Sequence, residues 1–147
     1  MEPGELVQYL YEKIPLSRAM QVSTLELNEH CVRLVAPLTP NTNHHATVFG
    51  GSASALAILS AWSLLYVRLR FSSPEASIVI QHHRMYYERP MYGEFAARAS
   101  MAIPEQWPRF LRTLARFGKA RVAVNSTIEC NGELAARFSG EFVAIDR

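Results

Sequence analysis

Apolar residues Leu6, Tyr9, Leu10 and Ile14 recur at the spacing of one helix face, and Pro15, which disrupts a helix interior, marks the end of that first helix. Two strands are predicted next. The first covers about Met20 to Asn28, and the second places Val32, Leu34 and Ala36 on one face, with Asn28-Glu29-His30 as the turn. Pro37 and Pro40 close this hairpin. A polar segment from Thr39 to Thr47 then leads into an uncharged stretch that reads as a helix over about Gly50 to Arg68. The C-terminal half reads as strands. Ile78 to Tyr87 is one, ending by Pro90, which has no N–H to give a ladder, and in the next Phe95, Ala97, Ala99 and Met101 alternate with Arg98 and Ser100. The last two present Val122, Val124, Ser126, Ile128 and Cys130 on one face, then Leu134, Ala136, Phe138, Gly140 and Phe142. Asn131-Gly132 between them tolerates the positive φ angles of a tight turn and predicts an antiparallel hairpin.

The order is therefore helix, two strands, long helix, four strands. The long helix is apolar nearly all round, so every side of it must be covered. From Thr47 to Val67 no residue is charged, a length that could span a bilayer. Gly50, Gly51, Ser52, Ser54, Ser60 and Ser63 lower its hydrophobicity, however, and the half-buried strands after it need a partner. A strongly curved antiparallel sheet wrapped around one central helix meets both needs. The expectation is an α+β hotdog fold, with no membrane span.

The chain has 147 residues, 49% of them hydrophobic, the size of one domain, expected to cover residues 1–147. A formal charge of +2, with no basic run interleaved with aromatics, gives no reason to expect nucleic acid. Cys31 and Cys130 have neither CxxC nor Cys/His spacing, so free thiols are expected and no metal or cofactor is called for. The start, MEPGELVQYLYEK, lacks the basic and apolar regions of a secretion signal, which leads to the expectation of a cytoplasmic protein.

The segment with most chemical content is PLTPNTNHHATVFGGSASALAILSAWSLLY. Two glycines at a helix start let a ligand approach the backbone, and the unpaired N–H groups of the first turn attract an oxygen that is gaining negative charge. A thioester carbonyl under attack becomes such an oxygen, and each well-aimed donor can contribute about 3–4 kcal/mol to the transition state. The structural alternative is that Gly50-Gly51 permits close packing of helix on sheet, with Ser52 as the helix cap. The pattern Asn41, Asn43, Thr47, Phe49, Gly50, Gly51, Ser52 resembles the loop-to-helix junction of the YiiD C-terminal-type thioesterase family, in the hotdog-fold superfamily. The passages YYERPMYGEFAARASM and GELAARFSGEFVAI resemble that family's later strands, so the likeness covers nearly the whole chain. It implies a hotdog domain acting on acyl thioesters of coenzyme A or acyl carrier protein, with Gly50 and Gly51 holding the carbonyl. Asn41, Thr47, Phe49 and Ser52 would then contact substrate.

The chain departs from phenylacetyl-CoA-type hotdog thioesterases, which carry a histidine just before the glycines and a carboxylate later in the helix. Here Phe49, Ala57 and Ile58 are apolar, and no acid lies between Glu29 and Glu75. His44 or His45 could replace the missing base, with Asn43 orienting water or holding the thioester; the alternative is that both histidines are solvated loop residues. Of His82 and His83, strict alternation turns one inwards, as a buried histidine bonded to a neighbour. Arg109, Arg112, Arg116, Lys119 and Arg121 form a basic run without acids. It is either a solvated face or, through Arg112 and Arg116 above all, a site for coenzyme A phosphates or an acidic carrier protein. Trp62, Tyr66, Leu56 and Leu59 are either core or the lining of an acyl tunnel. Two functions follow: acyl thioester hydrolysis by water, or binding of an acyl thioester or fatty acid without turnover. A homodimer joined through sheet edges is expected, with a tetramer of two dimers left open.

Overall fold

The computed structural model describes residues 1–147. Two N-terminal helices, α1 (Pro3–Lys13) and α2 (Pro15–Ala19), precede β1 (Ser23–Leu27) and β2 (Val32–Ala36). The long helix α3 (Gly50–Leu69) is followed by β3 (Ser77–Tyr87) and β4 (Phe95–Met101). A short 3-10 turn and α4 (Trp107–Phe117) then lead to β5 (Lys119–Cys130) and β6 (Glu133–Ile145). One antiparallel sheet in the order β1-β2-β4-β5-β6-β3 curves around α3. This is the expected hotdog architecture.

The inner face of the sheet is built from residues that alternate. Val32, Leu34 and Ala36 of β2, Phe95, Ala97 and Ala99 of β4, and Val124 and Ile128 of β5 are buried against α3. Small side chains matter here. Ala97 and Ala99 are fully buried, and α3 packs closely on β4, presenting Ala53, Leu56, Ala57, Leu64 and Leu65. Each buried leucine contributes about 1.5–3 kcal/mol by leaving water. The helix that is long and apolar enough to cross a bilayer is thus the core helix of the sheet.

Four readings of the sequence need correction. Pro15 does more than end α1: it occupies the first turn of α2, where a missing N–H costs nothing, and β1 accordingly starts at Ser23. The basic run lies largely on α4, where Trp107, Phe110, Leu111 and Leu114 form a helical apolar face; Phe110 and Leu114 are buried. Leu134 is 40% exposed because the register slips between Ile128 and Glu129. The slip leaves the consecutive residues Ala135 and Ala136 both buried, while Glu88 and Arg89 donate their N–H groups to the Ala135 carbonyl. A second slip, between Ile80 and His82, changes the alternation in β3. His83 does share the inner face with Gly140 and stacks on Phe138 at 5.5 Å, but β3 is the sheet edge and His83 stays exposed. His82 faces outwards, 3.8 Å from Glu141.

Candidate functional site

The loop after β2 is held by its two asparagines. Asn41 is 2% exposed, and its Nδ2 donates to the carbonyls of Met20 (3.0 Å) and Pro37 (2.8 Å). Its own carbonyl accepts the Phe49 N–H at 2.8 Å, so Asn41 braces the loop onto the turn after α2. Asn43 organises the next turn. Its Oδ1 accepts the N–H groups of His45 (2.8 Å) and Thr47 (3.2 Å), and its Nδ2 donates to the Thr47 hydroxyl at 2.8 Å. Its amide is thereby engaged within the loop, and the Thr47 hydroxyl is a partner of that loop. His44 and His45 are exposed at its tip, their rings 3.8 Å apart.

The loop delivers the chain to α3 with Phe49 as the N-cap residue; no side chain caps the helix, so Ser52 does not play that part. The Phe49 carbonyl accepts the N–H groups of Ser52 (2.9 Å) and Ala53 (3.1 Å). The N–H groups of Gly50 and Gly51 donate to no backbone or side-chain acceptor. Two adjacent donors at the positive end of a 20-residue helix are therefore free. Each glycine has a close aromatic neighbour. A Cβ on Gly50 would lie 3.5 Å from the Tyr87 ring, whose hydroxyl donates to the Gly50 carbonyl at 3.0 Å. A Cβ on Gly51 would meet the Phe49 ring, which rests against the Gly51 backbone and is itself 56% exposed.

A cleft of about 260 Å³ opens beside this junction, lined by Val48, Gly50, Tyr87 and Met91 with the 88–90 segment. Its charges are already paired at the surface: Arg137 bonds Glu88 at 2.6 Å and Arg89 bonds Glu133 at 2.8 Å. Tyr87 is the site residue that sequence reasoning passed over. Strict period-two counting from Ile78 and Ile80 puts Tyr86 on the inner face, the slip puts Tyr87 there instead, and its bond to a carbonyl 37 residues away is set by the fold.

Along α3, Gly51, Ser54, Ala55 and Ile58 form a partly open stripe with no carboxylate. Further down the same stripe Trp62 and Tyr66 are covered by α1: Tyr9 stacks on Tyr66 at 4.6 Å and on Trp62 at 6.1 Å. Burial, followed by the neighbouring Tyr9, pushes the Tyr66 phenol above its ordinary pKa. Leu56 and Leu59 are buried in the core. These four residues are packing. No three His, Cys, Asp or Glu side chains converge as metal ligands would.

Arg112 and Arg116 lie at the far end of the molecule from Gly50. The Arg68 guanidinium sits 4.2 Å over the Trp107 ring, which fixes α4 at the C-terminal end of α3, and burial lowers the pKa of that arginine. At 1.5 Å per residue, Gly50 and Arg68 are about 27 Å apart. Within one chain the fold does not bring the basic run and the glycines together.

The curved sheet around one apolar helix, with a glycine pair at the helix start, defines a hotdog protein of the thioesterase type. A family model described as putative thioesterase (yiiD_Cterm) matches residues 4–146, and the chain belongs to that family. A protein of unknown function from Chlorobaculum tepidum TLS superposes with a TM-score of 0.92 at 24% identity, over 99% of this chain and 94% of that one. A putative thioesterase from Shewanella oneidensis gives 0.84 at 26% identity, over 97% and 96%. A Haemophilus influenzae thioesterase gives 0.80 at 13% identity, over 99% and 92%.

Proposed function

We propose that this protein hydrolyses acyl thioesters of coenzyme A or acyl carrier protein. The observation that carries the reading is the pair of free N–H groups on Gly50 and Gly51, beside a cleft and at the start of a helix whose dipole favours negative charge. Water attacks the thioester carbon, its oxygen becomes an oxyanion between the two donors, and the C–S bond breaks to give a carboxylic acid and a free thiol. Phe49 swings off Gly51 to admit the carbonyl. Tyr87 holds the helix start in place. Either His44 or His45, at the loop tip, takes the proton from water and returns it to the leaving sulfur.

The acting unit in this reading is a homodimer. β3 is an eleven-residue sheet edge with Val79, Tyr86 and Tyr87 exposed, an arrangement that pairing with a second copy would cover. The absence of a carboxylate from the open stripe of α3 favours a second reading, in which the same site holds an acyl thioester without turning it over. Purified protein offered short, medium and long acyl groups on both carriers separates the two. Release of free thiol above the uncatalysed rate supports hydrolysis, and tight binding with no release supports the second reading.

A further inference from the structure

Arg109, Arg112 and Arg116 lie at i, i+3 and i+7 of α4, on the side opposite the buried Phe110 and Leu114, and Lys119 follows after the left-handed Gly118. All four cations are exposed, and none has a carboxylate within 4.0 Å; the next one, Arg121, reaches Glu141 only at 4.0 Å. No acidic residue occurs between Glu105 and Glu129. Like charges set side by side along about 10 Å of helix repel one another and are relieved by an anionic partner. The guanidiniums spread over a convex helix surface rather than converging on a point. That geometry fits the acidic surface of a folded protein better than one phosphate group.

The distance to the glycines then decides which active site such a partner can serve. A pantetheine arm has the backbone length of four to five residues, which spans about 14–18 Å fully extended. It cannot bridge the length of α3, about 27 Å, from α4 to the junction of the same chain. A second copy changes this. Ser77 pairs with Ile145, which pairs with Lys119, so the α4 corner lies at the Ser77 end of β3, whereas Tyr87 at the other end touches Gly50. Two β3 strands paired antiparallel about their midpoints put the partner's Ser77 level with this chain's Tyr87. The partner's Lys119 is then three strand spacings away, about 15 Å.

We propose that an acidic acyl carrier protein docks on the cationic face of α4 in one protomer and delivers its acyl group to the Gly50/Gly51 junction of the other. This rests on the thioester and dimer readings above. The test uses a carrier protein whose pantetheine arm ends in a chloroacetamide, and Ser54→Cys as the target, one turn into α3 on the open stripe. Both native cysteines are buried, and burial pushes the Cys31 thiol pKa up, so they compete little for the reagent.

Two mixed dimers of differently tagged chains are compared. In one, Ser54→Cys shares its chain with Arg112→Glu and Arg116→Glu; in the other, the two reversals are in the partner chain. Crosslinking to the Ser54→Cys chain is expected to persist in the first dimer and to fall by about tenfold or more in the second. The reverse pattern, indifference to both reversals, a monomeric protein, or no crosslinking with native α4 on both chains overturns the proposal. So does an equal loss of labelling by chloroacetyl-coenzyme A, which assigns the face to phosphates. Crosslinking needs no turnover, so a failure of hydrolysis shows up separately, in the thiol-release assay.

Discussion

The Tyr87 hydroxyl donates to the Gly50 carbonyl at 3.0 Å, so the last residue of the edge strand holds the first residue of the long helix. Tyr87→Phe keeps the ring against Gly50 and removes only this bond. Tyr87 is 53% exposed and water can replace the lost partner, so the stability cost should be no more than about 1 kcal/mol. Turnover is expected to fall further than stability, because the free donors of Gly50 and Gly51 lose their brace. Thermal melts beside kcat/KM measure the two effects, and unchanged turnover would show that the helix start is held without Tyr87.

Two serines in α3 give opposite expectations. Ser60 and Ser126 share a buried hydrogen bond of 3.0 Å that ties α3 to β5, whereas the Ser63 hydroxyl is buried with no partner. Ser60→Ala leaves the Ser126 hydroxyl unpaired and should cost about 1–3 kcal/mol. Ser63→Ala removes an unsatisfied group and should be neutral or stabilising. Denaturant midpoints that fall equally for both variants would contradict this.

Ala46 closes the Asn43 turn at φ 61, a conformation costly for alanine and accessible to glycine. Ala46→Gly is expected to stabilise the protein by up to about 1 kcal/mol. Asn43→Ala, which frees the N–H groups of His45 and Thr47, should destabilise it by about 1 kcal/mol. Changes of the same sign in both variants would count against this account of the turn.

The eleven-residue β3 edge is expected to pair with a second copy, giving a dimer at micromolar concentration. Sedimentation equilibrium measures it directly. A monomer would remove the route by which α4 of one chain serves the junction of another.

Much of this fold could be read from local pattern. Asn131 and Gly132 have φ angles of 54° and 76° and join Cys130 to Glu133 as the Asn-Gly pair demands, and α3 ends one residue beyond its expected limit. The misreadings come from pairing. Strict alternation misplaced Leu134 because of a register slip, and His83 turns inwards as alternation requires but stays exposed because β3 is the sheet edge; neither feature leaves a mark on the strand's own hydrophobic pattern. α4 was legible in Trp107, Phe110, Leu111 and Leu114, but the same stretch also carries a conspicuous charge run. At the site, the glycine pair could be located because its chemistry is local. The commitment of Asn41 to the Met20 carbonyl, 21 residues away, depends on the folded loop.

In the proposed reaction the Gly50 and Gly51 N–H groups hold a thioester carbonyl while water attacks it. Gly51→Ala tests it with little disturbance of the fold: Gly51 is helical, alanine favours a helix, and the added Cβ meets only the exposed, movable Phe49 ring. Thiol release from the best acyl thioester should fall by about tenfold or more, a loss of at least about 1.4 kcal/mol of transition-state stabilisation, while the melting temperature holds within a few degrees. Wild-type rates from a fully folded Gly51→Ala protein would place the chemistry elsewhere.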